Sequence, residues 1–281
     1  MILDRFRAMG TEVVAVCEAA EGLAEVHRLF GAVEACCSRF RADSDLSRVN
    51  DAPGEEVLMP SLLAGIVERA DEMRSRTGGL VDAGLGGVVA TWGYDRSFEQ
   101  VGNRPTVPET QGTPEWSVQG RILRRSPGTR LDLGGIAKGW TCDLAVESRM
   151  AVLVSAGGDM RSSDVRSETG ILGPDGRRAA GVHLGVGALA TSSTTSRSWW
   201  AGTVQAHHLI DPRTLGPALS PVLSATAVAA TAVEAEAGAK AVLLCGVDGL
   251  VWASQQDWIS GALVVWHDGS VYATTGLEVA A

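Results

Sequence analysis

Lysine is rare in this sequence, and both lysines lie where a positive charge could take part in chemistry. Lys138 and Lys240 stand among 24 basic residues, of which the rest are arginines. Lys138 follows a short apolar strand and a glycine turn in the segment LDLGGIAKGW, residues 131–140. A compact ammonium suits a phosphate group as a point charge, whereas arginine suits a bidentate contact. A phosphate-binding role is therefore one explanation for Lys138.

The second lysine shares a predicted helix with an acidic residue. Glu236 and Lys240 are four residues apart, which is the spacing of neighbours on one helix face. A solvent-facing pair of this kind would contribute only about 0.2–0.5 kcal/mol to stability. Since nearly all neighbouring residues are small and apolar, we instead expect this face to be packed or to line a site.

Two further residues are candidates for binding or proton transfer. Asp82 precedes several glycines in LVDAGLGG, residues 80–87, where a turn and a ligand contact are both plausible and the ligand contact is favoured slightly. His208 lies just before an Asp-Pro turn and is the candidate general base among five histidines. A lone histidine is more often structural, so this assignment depends on the neighbouring motifs.

The elements that position these groups form a mixed pattern of helices and strands. Apolar spacing predicts an amphipathic helix over residues 22–38 and a second helix from Ser61 to the Gly78–Gly79 pair. Strands are predicted over residues 3–18, before a second glycine turn that ends in Asp159, and before the helix that carries Lys240. One large domain or two intertwined lobes would fit this length.

Composition excludes some classes of function. The formal charge of −9 and the pI near 5.1 argue against nucleic-acid binding, which needs basic surface. The five cysteines show no zinc-site spacing, so we expect small buried residues and a reducing compartment. No apolar window approaches the roughly 18 residues of a membrane span, and charges near the amino terminus do not fit a signal peptide. These features lead us to expect a cytoplasmic protein without membrane insertion.

Eight segments, in order, resemble the ApbE-type FAD:protein FMN transferase family over nearly the whole chain. The segments are AMGTEV (8–13), FRADSDLSRVN (40–50), LVDAGLGGVVATWGYD (80–95), LDLGGIAKGWTCD (131–143), VSAGGDM (154–160), LATSSTTSRSW (189–199), HHLIDPRTLGP (207–217) and AEAGAKA (235–241). The resemblance implies an α+β, T-fold-like architecture as one domain over residues 1–281, with two intertwined lobes and the flavin between them.

The resemblance also implies an activity. FAD would be cleaved at its pyrophosphate, FMN would be attached to a threonine or serine of an acceptor protein, and AMP would leave. Two alternatives remain: a protein that binds FAD without transferring it, and an FAD pyrophosphatase that yields FMN and AMP.

Site residues follow from the same resemblance. His208 would take the proton of the acceptor hydroxyl, a poor nucleophile without an adjacent base. Magnesium would be held by the backbone carbonyl of Gly135 and by a helix position that is Glu236 here. The positions expected to line the FAD site are Met9, Phe40, Val81, Asp82, Ala83, Asp132, Lys138, Gly157, Gly158, Asp159 and Ile210.

The sequence departs from the family pattern at three places. Lys240 stands where a threonine metal ligand is expected, and a charged ammonium has no lone pair for a metal. We therefore predict that Lys240, paired with Glu236, supplies a fixed positive charge and takes part in catalysis with or without magnesium. Arg161 stands in the stretch where a glycine is expected, and Leu215 lengthens the turn after Asp211 by one residue.

Overall fold

The computed structural model describes residues 1–109, 112–164 and 167–280. The chain divides into two compact units. The first unit comprises residues 1–31, 138–193 and 219–281, and the second comprises residues 32–137 and 194–218.

In the described ranges the strands, in chain order, are β1 (Ile2–Ala8), β2 (Thr11–Cys17), β3 (Glu56–Leu58), β4 (Trp116–Gln119), β5 (Ile122–Arg125), β6 (Leu153–Ala156), β7 (Asp159–Ser162), β8 (Ser167–Leu172), β9 (Arg178–Leu184), β10 (Gly187–Ser193), β11 (Ser198–Ala201), β12 (Val204–His207), β13 (Ile210–Asp211), β14 (Gly216–Pro217), β15 (Val222–Ala229), β16 (Ile259–Trp266), β17 (Val271–Ala273) and β18 (Val279–Ala280). The α-helices are α1 (Ala20–Cys37), α2 (Asp45–Asp51), α3 (Ser61–Arg76), α4 (Gly86–Trp92), α5 (Ala137–Glu147), α6 (Ala232–Cys245) and α7 (Gly249–Ser254). The helices predicted from apolar spacing correspond to α1 and α3, within two residues at each end.

An antiparallel sheet forms the centre of the first unit. Within the described residues it has eight strands in the order β1-β2-β6-β7-β10-β15-β16-β17. Two tight hairpins lie at one end of the sheet, and their turn residues have positive φ angles: Met9 and Gly10 at 53° and 70°, and Gly157 and Gly158 at 60° and 102°. A Cβ on Gly157 would lie 2.7 Å from the Thr11 hydroxyl oxygen, so the two turns pack closely enough to require glycine there.

Helix α6 packs on β15 and β10 of this sheet and is buried along most of its length. Thr231 caps the helix, and Glu234 completes a capping box. By length and composition alone, the helical stretch Ala232–Ser254 could cross a membrane, which the search for uninterrupted apolar residues in the sequence did not reveal. Half of its most apolar 18-residue window is buried in the structure, so packing on the sheet accounts for its apolar character.

The second unit consists of a small sheet, helices and two strand pairs. In its described part, the sheet has the order β3-β5-β4, and β11 pairs with β12 and β13 with β14. One of its apolar clusters, which we call the aromatic cluster, contains Tyr94 and Trp199 with ring centroids 5.8 Å apart. Leu215 is buried in the same cluster, with φ of 55°, and its carbonyl accepts a hydrogen bond from Trp92 Nε1. The additional residue in the turn after Asp211 is therefore part of the core.

Candidate functional site

The first unit holds a buried cluster of four charged side chains, Lys138, Asp159, Glu236 and Lys240, which we call the charged quartet. The ammonium groups of Lys138 and Lys240 each donate a hydrogen bond of 2.9 Å to the same oxygen, Oε1 of Glu236. Lys138 Nζ also lies 3.1 Å from Oδ2 of Asp159. Lys138 comes from α5, Asp159 from the start of β7, and the other two from one face of α6.

Burial makes the electrostatics of the quartet strong. The side chains of Asp159 and Glu236 are each 4% exposed, and those of Lys138 and Lys240 are 12% and 15% exposed. Burial would raise the pKa of Glu236, but the two lysines outweigh it and hold that pKa well below its ordinary value. Burial and the adjacent Glu236 raise the pKa of Asp159, although both lysines oppose this. Glu236 is therefore the permanent anion that holds both ammonium groups.

These residues do not fit a magnesium ion. Two ammonium groups already donate to Glu236 Oε1, and their positive charge would repel a divalent cation at either oxygen of this carboxylate. The other oxygen, Oε2, is buried without a hydrogen-bond partner in the described part of the chain. In the same ranges, no group of three or more His, Cys, Asp or Glu residues is placed to hold a metal. The assignment of Glu236 as a metal ligand gains no support, and that of Gly135, in the second unit, stays a prediction.

The two hairpin turns bring further predicted residues to the same end of the sheet. Met9 packs on the core from the first turn, and Gly157 and Gly158 form the second turn, directly before Asp159. The carbonyl of Gly158 accepts a hydrogen bond of 3.1 Å from the Thr191 N–H. The Thr191 hydroxyl lies 2.9 Å from that of Thr226, so it pairs within the sheet.

In the second unit, Arg39 joins a predicted aspartate to a predicted aromatic residue and was not singled out from the sequence. Its Nε donates a 2.7 Å hydrogen bond to Asp132 Oδ2, and its Nη1 donates to the Tyr94 carbonyl. The guanidinium carbon lies 4.2 Å from the ring centre of Phe40 and 4.6 Å from that of Tyr94. The arginine side chain is 10% exposed, and Nη2 is buried without a hydrogen-bond partner in the described ranges. The only feature of the sequence that points to Arg39 is its position directly before Phe40.

The predicted residues of LVDAGLGG lie next to this group. The Asp132 N–H donates a 2.8 Å hydrogen bond to the Ala83 carbonyl, and Val81 and Ala83 are both buried. Asp82 accepts hydrogen bonds from the Gly84 N–H and from Trp116 Nε1, each of 2.7 Å. One carboxylate oxygen of Asp82 is thus already engaged in a turn and a tryptophan contact.

The two adjacent histidines have different environments. His207 is 6% exposed, its Nε2 lies 3.1 Å from the Ala218 carbonyl, and its Nδ1 accepts from the Leu209 N–H. Burial lowers the pKa of His207, so it is a neutral structural residue. His208 is half-buried and lies near Asp132. Burial would raise the pKa of Asp132, but Arg39, with smaller contributions from the Gly134 N–H and His208, holds it below its ordinary value. Ile210, by contrast, is buried in the aromatic cluster.

Comparison with known proteins supports one family. A protein named FAD:protein FMN transferase from Rhodobacter capsulatus is 29% identical over 83% of this chain, which spans only 48% of that relative. A protein of the same name from Treponema pallidum is also 29% identical, over 91% of this chain and 80% of the relative. The crystal structure of the ApbE protein from Thermotoga maritima has a TM-score of 0.84 at 23% identity and covers 98% of this chain and 97% of its own. This likeness confirms the expected α+β fold. The model of the ApbE family matches residues 9–262, and the chain belongs to the ApbE family.

Proposed function

We propose that this protein transfers FMN from FAD to a threonine or serine hydroxyl of an acceptor protein and releases AMP. The observation that carries the proposal is the match to relatives named FAD:protein FMN transferase over 83% and 91% of this chain. In the reaction, the acceptor oxygen forms a bond to the FMN phosphorus and the pyrophosphate bond breaks. The bridging oxygen leaves with AMP, and the hydroxyl proton goes to a base.

His208 is the base in this proposal. It is half-buried, whereas its neighbour His207 is held by hydrogen bonds at both ring nitrogens. A neutral imidazole can take the proton of a hydroxyl near neutral pH, which makes the oxygen a better nucleophile.

The group around Arg39 is suited to the flavin nucleotide. Phe40 is 40% exposed and offers an aromatic face beside the guanidinium, while Asp132 forms an ion pair with Nε of Arg39. The remaining N–H groups on Nη2 can donate to a carbonyl or phosphate oxygen of the ligand.

Fixed ammonium groups supply the positive charge in place of a magnesium ion in our proposal. Phosphoryl transfer needs the charge on the transferring and leaving groups to be neutralised. The quartet holds Lys138 and Lys240 in defined positions through one oxygen of Glu236, and the pKa of Lys138 is raised by Asp159 and Glu236 against the effect of burial. The Lys138 ammonium therefore stays charged at neutral pH.

The test is an assay of the purified protein with FAD and a domain that carries the threonine motif modified by ApbE-type transferases. We expect the acceptor to gain the mass of FMN less one water, in magnesium and in chelator alike, and Lys240→Ala to remove this activity in chelator. A magnesium-dependent activity that is unaffected by Lys240→Ala would refute the fixed-charge proposal.

The same assay separates the two alternatives from transfer. Release of AMP without a change in acceptor mass would identify an FAD pyrophosphatase. FAD that stays bound and intact under both conditions would identify a binding protein and would refute the enzymatic proposal.

We also propose a reducing compartment, the cytoplasm, as the location. All five cysteines are free thiols, and four of them are buried as small core residues. Cell fractionation with an antibody to the protein would test this, and enrichment in a membrane or exported fraction would contradict it.

A further inference from the structure

A buried carboxylate connects α5 to the first turn of α6. Asp143 on α5 accepts hydrogen bonds of 2.7 Å from the Ala232 N–H and 3.0 Å from the Val233 N–H. With Thr231 accepting from the Glu234 N–H, successive amides at the start of α6 all have partners. Because the start of a helix carries partial positive charge, an ionised Asp143 binds these amides more strongly than a neutral carboxyl group does.

The same helix, α5, touches α6 at two further points. Lys138 reaches Glu236 one turn farther along α6. Gly139 packs so closely that a Cβ there would lie 2.9 Å from the carbonyl carbon and oxygen of Ala232. The position of the first turn of α6 relative to α5 is thus tightly defined, and the position of Glu236 and Lys240 depends on it.

Arg161 forms an ion pair with Asp143, and it is one of the residues at which the chain departs from the family pattern. Its Nε lies 3.3 Å from Oδ1 of Asp143, as an ion pair that is not aligned as a hydrogen bond. The Arg161 and Asp143 side chains are 15% and 10% exposed, so water screens their attraction only weakly. The arginine lies on β7, two residues after Asp159 of the quartet.

We infer that Asp143 is a positioning residue for the transfer reaction, and that the α6 amides and Arg161 together keep it ionised so that α6 presents Glu236 and Lys240 in their working positions. The inference rests on the proposed function in one respect, because Lys240 is taken to act in catalysis. The contacts of Asp143 described above are with the first amides of α6 and with Arg161, and the distance from Asp143 to Lys240 is bridged by α6 itself. The effect of Asp143 passes through the backbone of α6.

This arrangement makes the position of α6 sensitive to pH. Burial raises the pKa of Asp143 to about 6, the two α6 amides and Arg161 oppose that rise, and Glu147 on the same helix adds to it. The Cys142 thiol is also adjacent, but its own pKa is raised well above neutral by burial, so it stays uncharged. Asp143 is ionised above about pH 6 and becomes protonated below it. Without Arg161, protonation must begin at higher pH.

The experiment measures kcat and KM against pH for Asp143→Asn, Arg161→Gln and the double variant, with Asp257→Asn and Arg177→Gln as matched controls. Asp257 and Arg177 are both exposed. We expect Asp143→Asn to lower kcat about tenfold or more, with a smaller change in the KM for FAD, because misplacement affects the transition state most. Arg161→Gln should move the acidic fall in kcat upward by about one pH unit. The double variant should show no such movement relative to Asp143→Asn.

Hydrogen exchange of the α6 amides, measured without substrate, tests the inference by a measurement that does not depend on enzymatic activity. We expect Asp143→Asn to speed exchange at residues 232–236, with no change in either control. Unchanged exchange and kcat in Asp143→Asn, or an unmoved pH profile in Arg161→Gln, would overturn the inference. Faster exchange in a protein that transfers no flavin would support the role of Asp143 in placing α6 and would refute the proposed function instead.

Discussion

One oxygen atom of Glu236 holds both lysines of the chain. Removing one partner of a buried ion pair leaves an uncompensated charge, which typically costs about 3–5 kcal/mol. Glu236 cannot be replaced by a neutral residue at small cost, because two buried ammonium groups depend on it. Two compact ammonium groups can share a single oxygen, a geometry that the planar guanidinium does not match, which explains lysine rather than arginine at these two positions.

Substitution of a single residue, Arg39, tests the proposed flavin site. Arg39→Lys keeps the positive charge but loses the planar contact with Phe40 and Tyr94 and the donor on Nη2. We expect FAD affinity to fall about tenfold, equal to about 1.4 kcal/mol. Titration of FAD fluorescence against protein concentration measures this change.

Loss of stability in the second unit could also lower affinity, so the control is another buried arginine. Arg125 donates hydrogen bonds to the carbonyls of Asn50 and Ala52. Arg125→Lys should lower the unfolding temperature and leave FAD affinity unchanged. Equal affinity in Arg39→Lys and the unmodified protein would exclude Arg39 from the flavin site.

At the level of elements, the close approach of α5 and α6 determines the geometry of the quartet. Gly139→Ala places a methyl group 2.9 Å from backbone atoms of Ala232, so the two helices must separate. We expect a loss of about 1–3 kcal/mol in the free energy of unfolding, from overpacking, together with reduced transferase activity. Urea denaturation measures the first effect and the flavin-transfer assay the second.

Gly31 provides the matched control for that substitution. It is a helical glycine in α1 with no atom within 4 Å of an added Cβ. Gly31→Ala should stabilise the protein by about 0.4–1 kcal/mol, because alanine favours the helix and restricts the unfolded chain. Equal effects of the two substitutions would show that α5 and α6 do not need their close contact.

At the level of the whole molecule, the fixed-charge proposal predicts an unfolding temperature that does not change when magnesium is added. A ligand that binds only the folded state raises the unfolding temperature, so an unchanged temperature in magnesium and in chelator indicates that no ion binds. We expect this result for the natural sequence. The combined change Glu236→Asp and Lys240→Thr restores oxygen ligands and removes one ammonium, and it should produce a magnesium-dependent rise.

Glu236→Asp alone is the control, because it retains Lys240. A magnesium-dependent rise in the unfolding temperature of the natural sequence would contradict the fixed-charge proposal. So would the absence of any rise in the combined variant, since the position of Lys240 would then not correspond to a cation site.

Local features of the fold were predictable because their causes are local. The spacing of apolar residues defines α1 and α3, and the glycine pair at residues 157–158 predicts a turn whose positive φ angles favour glycine. Arg39 was not predictable, because a single arginine among 22 has no local feature that places it between two aromatic rings and Asp132.

By itself the sequence determined the family, the two unusual lysines and the pairing of Lys240 with Glu236 across one turn of a helix. Only the tertiary structure placed Lys138 on the same Glu236 oxygen, across 98 positions of the chain, and brought Asp143 to the start of α6. The physical reason is that α5, β7 and α6 are packed together by strand register and by the small residues between them, such as Gly139. Helical spacing specifies which side chains share a face, but the contact between faces depends on how the whole sheet is assembled.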